Sequence, residues 1–531
     1  MRKPALWMSP LLLCLLMTMA ESAHAGPVVT TAARHDTSSA LRDLASAPDY
    51  AEAHREQALI AQRTREGFVS NQPDPVAAQP ATALTGVTAV ASFEGQSAQD
   101  NRNVLGFAFV PPDTNGAVGI SQYVQMVNVT IAVYSKTTGT LQLGPVPIHA
   151  IWKGFGGPCE LAGDGGDPVV LYDQLANRWF VSQLQFNDDF TSNQECIAVS
   201  TTSDATGSYN RYEFDFGSEL PDYPKFSVWP DAYYSSQNMF APFGGTFSFE
   251  GARACALNRA AMLVGANAAM ICFQTTTASL LPSDLDGSTL PPSGSRNYFA
   301  SLANSSHLNL FQFHVDFAQP ANSAFTGPAL IAVAPFTEVC QGALVLACIP
   351  EPAPGERLDS LGDRLMFRLA YRNFGDHESL VANHTIKSGA FAGVRWYEIR
   401  SPASAPFAFQ QGTVVDPVNS FWMGSIAMDK VGDIALGFSA SSRSLAPSIY
   451  AVGRTPSDPA GTMNGPNVLT VGTGVQTTSF NRWGDYSAMA VDPRDDCTFW
   501  YTQEYYQTTG SFNWSTRISA FKFDNCKGRG R

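Results

Sequence analysis

One plan recurs along this chain: a polar or Gly-Asp lead-in, a short apolar strand, a turn marked by Asp, then an aromatic-rich strand. GDPVVLYDQLANRWFVSQ, from Gly166 to Gln183, can be laid over GDYSAMAVDPRDDCTFWYTQ, from Gly484 to Gln503. PDTNGAVGISQYVQ from Pro112, DYPKFSVWPDAYYSSQ from Asp222, LGDRLMFRLAYRNFGDHESLVAN from Leu361 and WMGSIAMDKVGDIALGFSAS from Trp422 follow the same plan. A weaker unit lies between about Thr275 and Phe317, where NYFASLA and LNLFQFHVDF are strand-like but the lead-in is missing. A single core stops growing near ~250–300 residues, so a chain of 531 must divide or repeat.

About seven units at a period of roughly 60 residues predict an all-β chain: a β-propeller of about seven four-stranded blades, with the surplus length in loops. GVTAVASF, ahead of the first unit, is placed to pair with TRISAFKF near the end and close the ring without a free edge. An immunoglobulin array needs ~100 residues per domain, which the period excludes. A pair of sandwiches or a β-helix is the competing architecture. Charged residues make up 15% and aromatics 11%, which suits short strands rather than long solvated helices. The net charge of -13 excludes a nucleic-acid partner.

Arg2 and Lys3, the apolar run Leu11–Ala20 and the small residues of Ala23-His24-Ala25 read as a signal peptide over residues 1–25, cleaved before Gly26. The apolar run is too short to span a bilayer, and no later run reaches ~20 residues, so no membrane span is expected. The expected location is therefore secreted or periplasmic, as a monomer. Removing Cys14 with the signal leaves eight cysteines in four sequence-local couples. The expected disulfides are Cys159–Cys196, Cys255–Cys272, Cys340–Cys348 and Cys497–Cys526. Residues 26–90 read as a spacer, helical-looking from Ser38 to Phe68 and then Pro/Ala-rich, with the propeller over 91–531.

In such a blade the first strand starts at one face of the disc and the second returns to it. Asp173, Asp231, Asp429 and Asp492 fall at the hairpin between them, where Asp sets a turn, so they are expected opposite any site. The lead-in residues Asp113, Asp167, Tyr223, Lys225, Asp359, Asp363, Trp483 and Asp485 should face a central funnel. Gln183, Gln237, Asn383 and Gln503, at a recurring offset, should reach the same rim. Carboxylates, amides and aromatic faces together suit a polyhydroxylated ligand. The bland alternative is that these groups bond one another and order the pore.

His384, beside Asn383 and near Asp363, is the candidate acid or base, acting with the funnel carboxylates Asp167 or Asp485. His377 sits in the preceding turn, about 23 Å away at ~3.3 Å per residue, and cannot share its site. His149 is a weaker candidate. Arg368, mid-strand, needs a carboxylate partner or faces the pore, where it would suit a uronic acid, with Tyr371 as another candidate acid or base. GDGGD, from Gly163 to Asp167, is the one seat for a cofactor, calcium, with ordinary turn chemistry as the competing reading; DLDG at Asp284 lacks an EF-hand's ligands. No GxSxG, P-loop or dinucleotide fingerprint occurs.

PPDTNGAVG from Pro111, GDPVVLYD from Gly166, DYPKFSVWPD from Asp222 and NRWGDYSAMAVDP from Asn481 together resemble a group of exported bacterial β-propeller-like proteins. The resemblance covers most of the chain after residue 90 and implies a propeller fold and export, without an activity to carry over. Three functions stay open. The first is recognition of extracellular or envelope carbohydrate through a polar funnel. The second is a lyase or hydrolase of an acidic polysaccharide. The third is a calcium-stabilised scaffold that adheres to a surface protein.

Overall fold

The computed structural model describes residues 26–45, 67–80, 83–161, 164–243, 246–341, 347–353, 355, 357–477 and 481–527. The signal-peptide reading of residues 1–25 lies outside them, as does the helical reading of Ser38–Phe68 over 46–66; within the described part of that segment, Leu41–Leu44 is helical. Seven antiparallel meanders follow one another. The first runs through Asn115–Val118, Gln122–Val127, Thr130–Ser135 and Leu141–Pro147. The second comprises Val169–Asp173, Arg178–Phe186, Asn193–Ser200 and Tyr209–Gly217; the third, Leu220–Val228, Tyr233–Phe243, Thr246–Leu257 and Ala269–Gln274. The fourth comprises Leu281–Leu285, Asn297–Asn304, His307–His314 and Ala324–Ala332; the fifth, Met366–Asn373, Glu378–Ser388, Phe391–Arg400 and Phe407–Val414. The sixth holds Ser420–Met428, Ile434–Ser441, Ser448–Arg454 and Asn464–Thr470.

The seventh meander, Ala488–Val491, Phe499–Tyr506 and Trp514–Phe523, takes its fourth strand from Val87–Ser97, with Phe93 opposite Ile518 and Val87 opposite Phe523. This is the pairing of GVTAVASF with TRISAFKF that the sequence suggested. The fourth and fifth meanders share one nine-stranded sheet, because Leu281–Leu285 runs parallel to Met366–Asn373 with Ser283 opposite Leu369. The first strand of each meander lies beside the first strand of the next, and that of the seventh returns to the first.

Side chains from neighbouring sheets interleave, which explains why strands such as Gln122–Val127 are buried on both faces and do not alternate. Phe180 meets Phe226 and Tyr233, each at 5.0 Å between ring centroids, across the second and third sheets. Trp422 meets Trp483 at 5.6 Å across the sixth and seventh, and Tyr123 meets Trp500 at 5.3 Å across the first and seventh. Glycine is required where strands come closest: a Cβ on Gly116 would stand 2.3 Å from the Tyr123 hydroxyl.

The segment read as a spacer contributes to these sheets. Arg34–Thr37 adds a fifth strand to the second sheet, and Val28–Thr31 adds one to the third. Ala77–Ala78 runs parallel to the outer strand of the fifth. These short runs cover edges that would otherwise offer free backbone groups.

All four expected disulfides form: Cys159–Cys196, Cys255–Cys272, Cys340–Cys348 and Cys497–Cys526. Cys159–Cys196, with a sequence separation of 37, closes the longest loop of the four and therefore removes the most unfolded-chain entropy. Replacing both cysteines with Ala is expected to lower unfolding free energy by about 2–4 kcal/mol, read as a shift in the urea midpoint. A loss below about 1 kcal/mol would show that this loop is already restrained in the unfolded chain.

Candidate functional site

The lead-in motifs meet at one end of the ring of first strands. Asp113, Asp167 and Tyr223 adopt left-handed backbone, with φ of 46°, 50° and 56°, a region that non-glycine residues occupy only where their surroundings hold them. This backbone lets each lead-in bridge to a neighbouring sheet. Asp113 Oδ1 accepts from the Asp485 amide at 2.8 Å, joining the first sheet to the seventh. Asp167 Oδ2 accepts from the Tyr223 amide at 3.2 Å, joining the second to the third. Asn128 Nδ2 donates to Asp113 Oδ2 at 2.8 Å, and its Oδ1 accepts from the Asp167 amide at 3.0 Å. Across the axis, Arg482 donates to both Asp359 and Asp485, and Tyr486 donates its hydroxyl to the Pro168 carbonyl. Lys225 sits 3.5 Å over the Tyr223 ring and 4.1 Å over the Tyr486 ring, while Arg364 pairs with Asp363.

Burial sets the electrostatics. It raises the carboxyl of Asp113 well above the usual range, and Asp485 and Asp167 add to the shift. Burial also raises Asp167, with Lys225 opposing. Burial, then the charges of Asp167 and Asp485, push Asp222 up to about 7; burial pushes Asp359 up to about 6 and Lys225 down to about 8. Clustered groups with shifts of this kind mark candidate functional sites. Access is another matter, because Asp113, Asp167, Lys225, Asp359, Asp363, Arg364, Arg482 and Asp485 are all buried. Two short strands between the fourth and fifth meanders, Ala347–Pro350 and Arg357–Asp359, lie over this end. Ile349 and Leu358 join one apolar cluster with Trp422, Trp483 and Tyr486, and the Pro350 carbonyl accepts from Ser441.

The structure therefore brings Asp113, Asp167, Tyr223, Lys225 and Asp485 together, but as a closed network rather than the open funnel expected. His384 lies elsewhere. Its Nε2 is 2.9 Å from the Tyr397 hydroxyl, its ring stacks on Tyr397, and Phe336 meets it edge-on at 4.6 Å. These contacts place His384 within the fifth sheet's packing, away from the Asp167 and Asp485 carboxylates with which it was expected to act. Trp483 is core, bonded to Ser439 and stacked on Tyr506. Gln503 donates to the Met423 carbonyl and accepts from the Glu504 amide; Gln237 donates to Ser235. The amides of Gln183 and Asn383 are buried without a hydrogen-bond partner among the described residues.

Arg368 does face the axial cavity, but it is paired there with Asp284 and Asp286, so the expected uronate seat is already filled by the DLDG carboxylates. Tyr371 donates to Glu378. In GDGGD, Asp164 contacts His149 while Asp167 turns to the axis, so the two carboxylates serve different partners. Among the described residues, the one tight grouping of metal-ligating types is Asp429 with Cys497 and Cys526, and its sulfurs are joined as a disulfide.

An open cleft lies on the opposite face, between the fifth and sixth sheets, with a cavity of about 350 Å³. Phe374 and His377, in the first hairpin of the fifth sheet, stack with centroids 4.8 Å apart and planes at 15°. The Arg400 guanidinium lies 3.4 Å over the Phe409 ring, and Phe409 is 45% exposed. Glu398 accepts from Ser379, Arg400 and Gln410. Arg454 is buried and makes one hydrogen bond among the described residues, from Nη2 to the Asp458 carbonyl; its Nε has no partner. This is the face where the hairpin Asp residues were expected to exclude a site. They do set turns: Asp173 accepts from the amides of Leu175 and Ala176, and Asp429 from those of Val431 and Asp433.

No family model and no curated protein matches the chain. Solved structures similar to parts of it include the polysaccharide lyase Uly1, at 10% identity, covering 94% of this chain and 100% of that one, with a TM-score of 0.33. An α-L-arabinofuranosidase from Fusarium graminearum covers 88% and 99% at 8% identity, TM-score 0.29. An endo-arabinase from Bacteroides thetaiotaomicron covers 66% and 92% at 8% identity, TM-score 0.27. TM-scores at this level assign the chain neither an activity nor a substrate.

Proposed function

We propose that this chain is an exported seven-bladed β-propeller that recognises carbohydrate through the cleft on its hairpin face. The observation that carries the reading is the convergence of two stacked platforms, Phe374–His377 and Arg400–Phe409, with Glu398, Gln410 and Arg454 in one cavity. Sugars offer an apolar face to an aromatic ring and a rim of hydroxyls to amide, carboxylate and guanidinium groups. The closed ring of first strands supports the propeller, and four disulfides support an oxidising compartment. On a glycan array the wild type is expected to bind a defined set of glycans, and Phe409→Ala to bind them about tenfold more weakly, ~1.4 kcal/mol. A correctly folded Phe409→Ala protein that binds as wild type removes the cleft from the proposal.

A catalytic reading has one observation in its favour: burial raises Asp113 and Asp167 and lowers Lys225 within a single cluster, which moves all three toward the neutral range where a general acid or base works. It requires the strands over the axis to move aside. Release of reducing ends or unsaturated products from polysaccharides by wild type, and not by Asp167→Asn, is the result that would favour it.

A further inference from the structure

Phe374 borders two cavities. One is the cleft between the fifth and sixth sheets; the other, about 220 Å³, sits at the mouth of the axis on the same face. First-to-second-strand turns of several sheets build the second cavity, supplying Gln174, Arg372, Lys430, Arg494, Asp495 and Asp496. Arg372 is spent on Asp496 through a two-pronged pair at 3.0 and 2.6 Å. Lys430 gives one hydrogen bond to the Asp495 carbonyl, and Arg494 is exposed; neither is paired with a carboxylate among the described residues. Asp495 also lines the mouth, its carboxylate taken up by the Cys497 and Thr498 amides and the Thr498 hydroxyl, so Lys430 and Arg494 present two cations that this carboxylate does not bond.

We propose that the two cavities form one groove for a linear acidic polysaccharide. One sugar stacks in the cleft beside Phe374, and a carboxylate further along the same chain docks on Arg494 and Lys430. This rests on the carbohydrate reading of the cleft and adds ligand length and charge to it. The overall charge of -13 does not oppose it at close range, since charges beyond about 8 Å are screened at physiological salt and the nearest groups decide. An Arg fork matches a carboxylate in a way that neutral hydroxyls cannot, so the mouth discriminates where the cleft does not.

The test is calorimetric titration with dimers and hexamers of galacturonate and of alginate, alongside neutral cello-oligosaccharides of the same lengths. The acidic hexamer is expected to bind at least tenfold more tightly than its dimer, with the gain shrinking at 0.5 M salt. An Arg494→Gln/Lys430→Gln protein is expected to lose that gain while binding the dimer as wild type does, and Arg494→Gln alone, altered at an exposed residue, to lose part of it. If dimer and hexamer bind alike, or the double variant keeps the gain, the groove is refuted while recognition in the cleft stands. If no oligomer binds and the glycan array is also silent, both readings fall.

Discussion

Arg482→Ala is expected to lower the stability of the protein by about 3–5 kcal/mol at pH 7, the range seen when one partner of a buried ion pair is removed. The guanidinium bridges Asp359 of the segment over the axis and Asp485 of the seventh sheet, and the Asp485 amide in turn holds Asp113 of the first. Its loss would leave three buried carboxylates facing one another without their shared cation. Asp359 is already pushed up to about 6 by burial, with Arg482 holding it down. Without Arg482 it is expected to take up a proton, so the penalty should shrink below pH 6. The measurement is the guanidinium-chloride midpoint by tryptophan fluorescence, with Trp483 adjoining the cluster in sequence. Arg482→Met combined with Asp359→Asn and Asp485→Asn is expected to recover most of the loss, since it removes the unpaired charge as well. A single-variant loss under 1 kcal/mol would mean that water reaches the network, which would reopen the axis as a ligand site.

Much of this architecture was legible because it is local. The disulfides join cysteines 8 to 37 positions apart, and a strand-turn-strand unit repeats its lead-in wherever the same inter-sheet bridge is needed. The gathering of Asp113, Asp167 and Asp485 follows from that repetition. What lies over them does not, because Ala347–Pro350 and Arg357–Asp359 belong to a connection without a repeated counterpart. The edge strands Val28–Thr31 and Arg34–Thr37 are four residues each and largely exposed, so they lack the apolar pattern that marks a strand. His384 illustrates a different limit: its place on the second strand was readable, but its aromatic neighbours Phe336 and Tyr397 come from other segments. The cleft was missed for a similar reason. Phe374, Glu398, Phe409 and Arg454 share no motif, and only the stagger of two sheets brings them together. Arg454 offered one usable signal, a charged residue closing an otherwise apolar strand, SIYAVGR.

Stability is expected to fall as pH rises from about 4 to about 8, opposite to the usual behaviour of ion-paired carboxylates. Burial raises Asp222 and Asp286 to about 7 and Asp359 to about 6, while burial and the adjacent Asp433 raise Asp429 to about 8. In the unfolded chain such groups release their protons near 3.9. Between the two values the native state holds the extra protons, so the stabilisation is complete below pH 4 and is lost as pH passes through each folded value. For Asp359 alone, two units correspond to about 3 kcal/mol, an upper figure because the carboxylates interact. Lys225 works in the other direction. Its folded value of about 8 lies below the unfolded value near 10.4, so above pH 8 the unfolded chain holds the extra proton and stability rises again. The curve should therefore have its minimum near pH 8. Urea midpoints at pH 5, 6.5, 8 and 9.5, with disulfides intact, trace it directly. Asp222→Asn should flatten the acidic limb, and Lys225→Met should abolish the rise above pH 8. A flat profile, or one that climbs from pH 5 to 8, would mean that the axial carboxylates are ionised and solvated in the folded protein, and the closed network described here could not then be its state in solution.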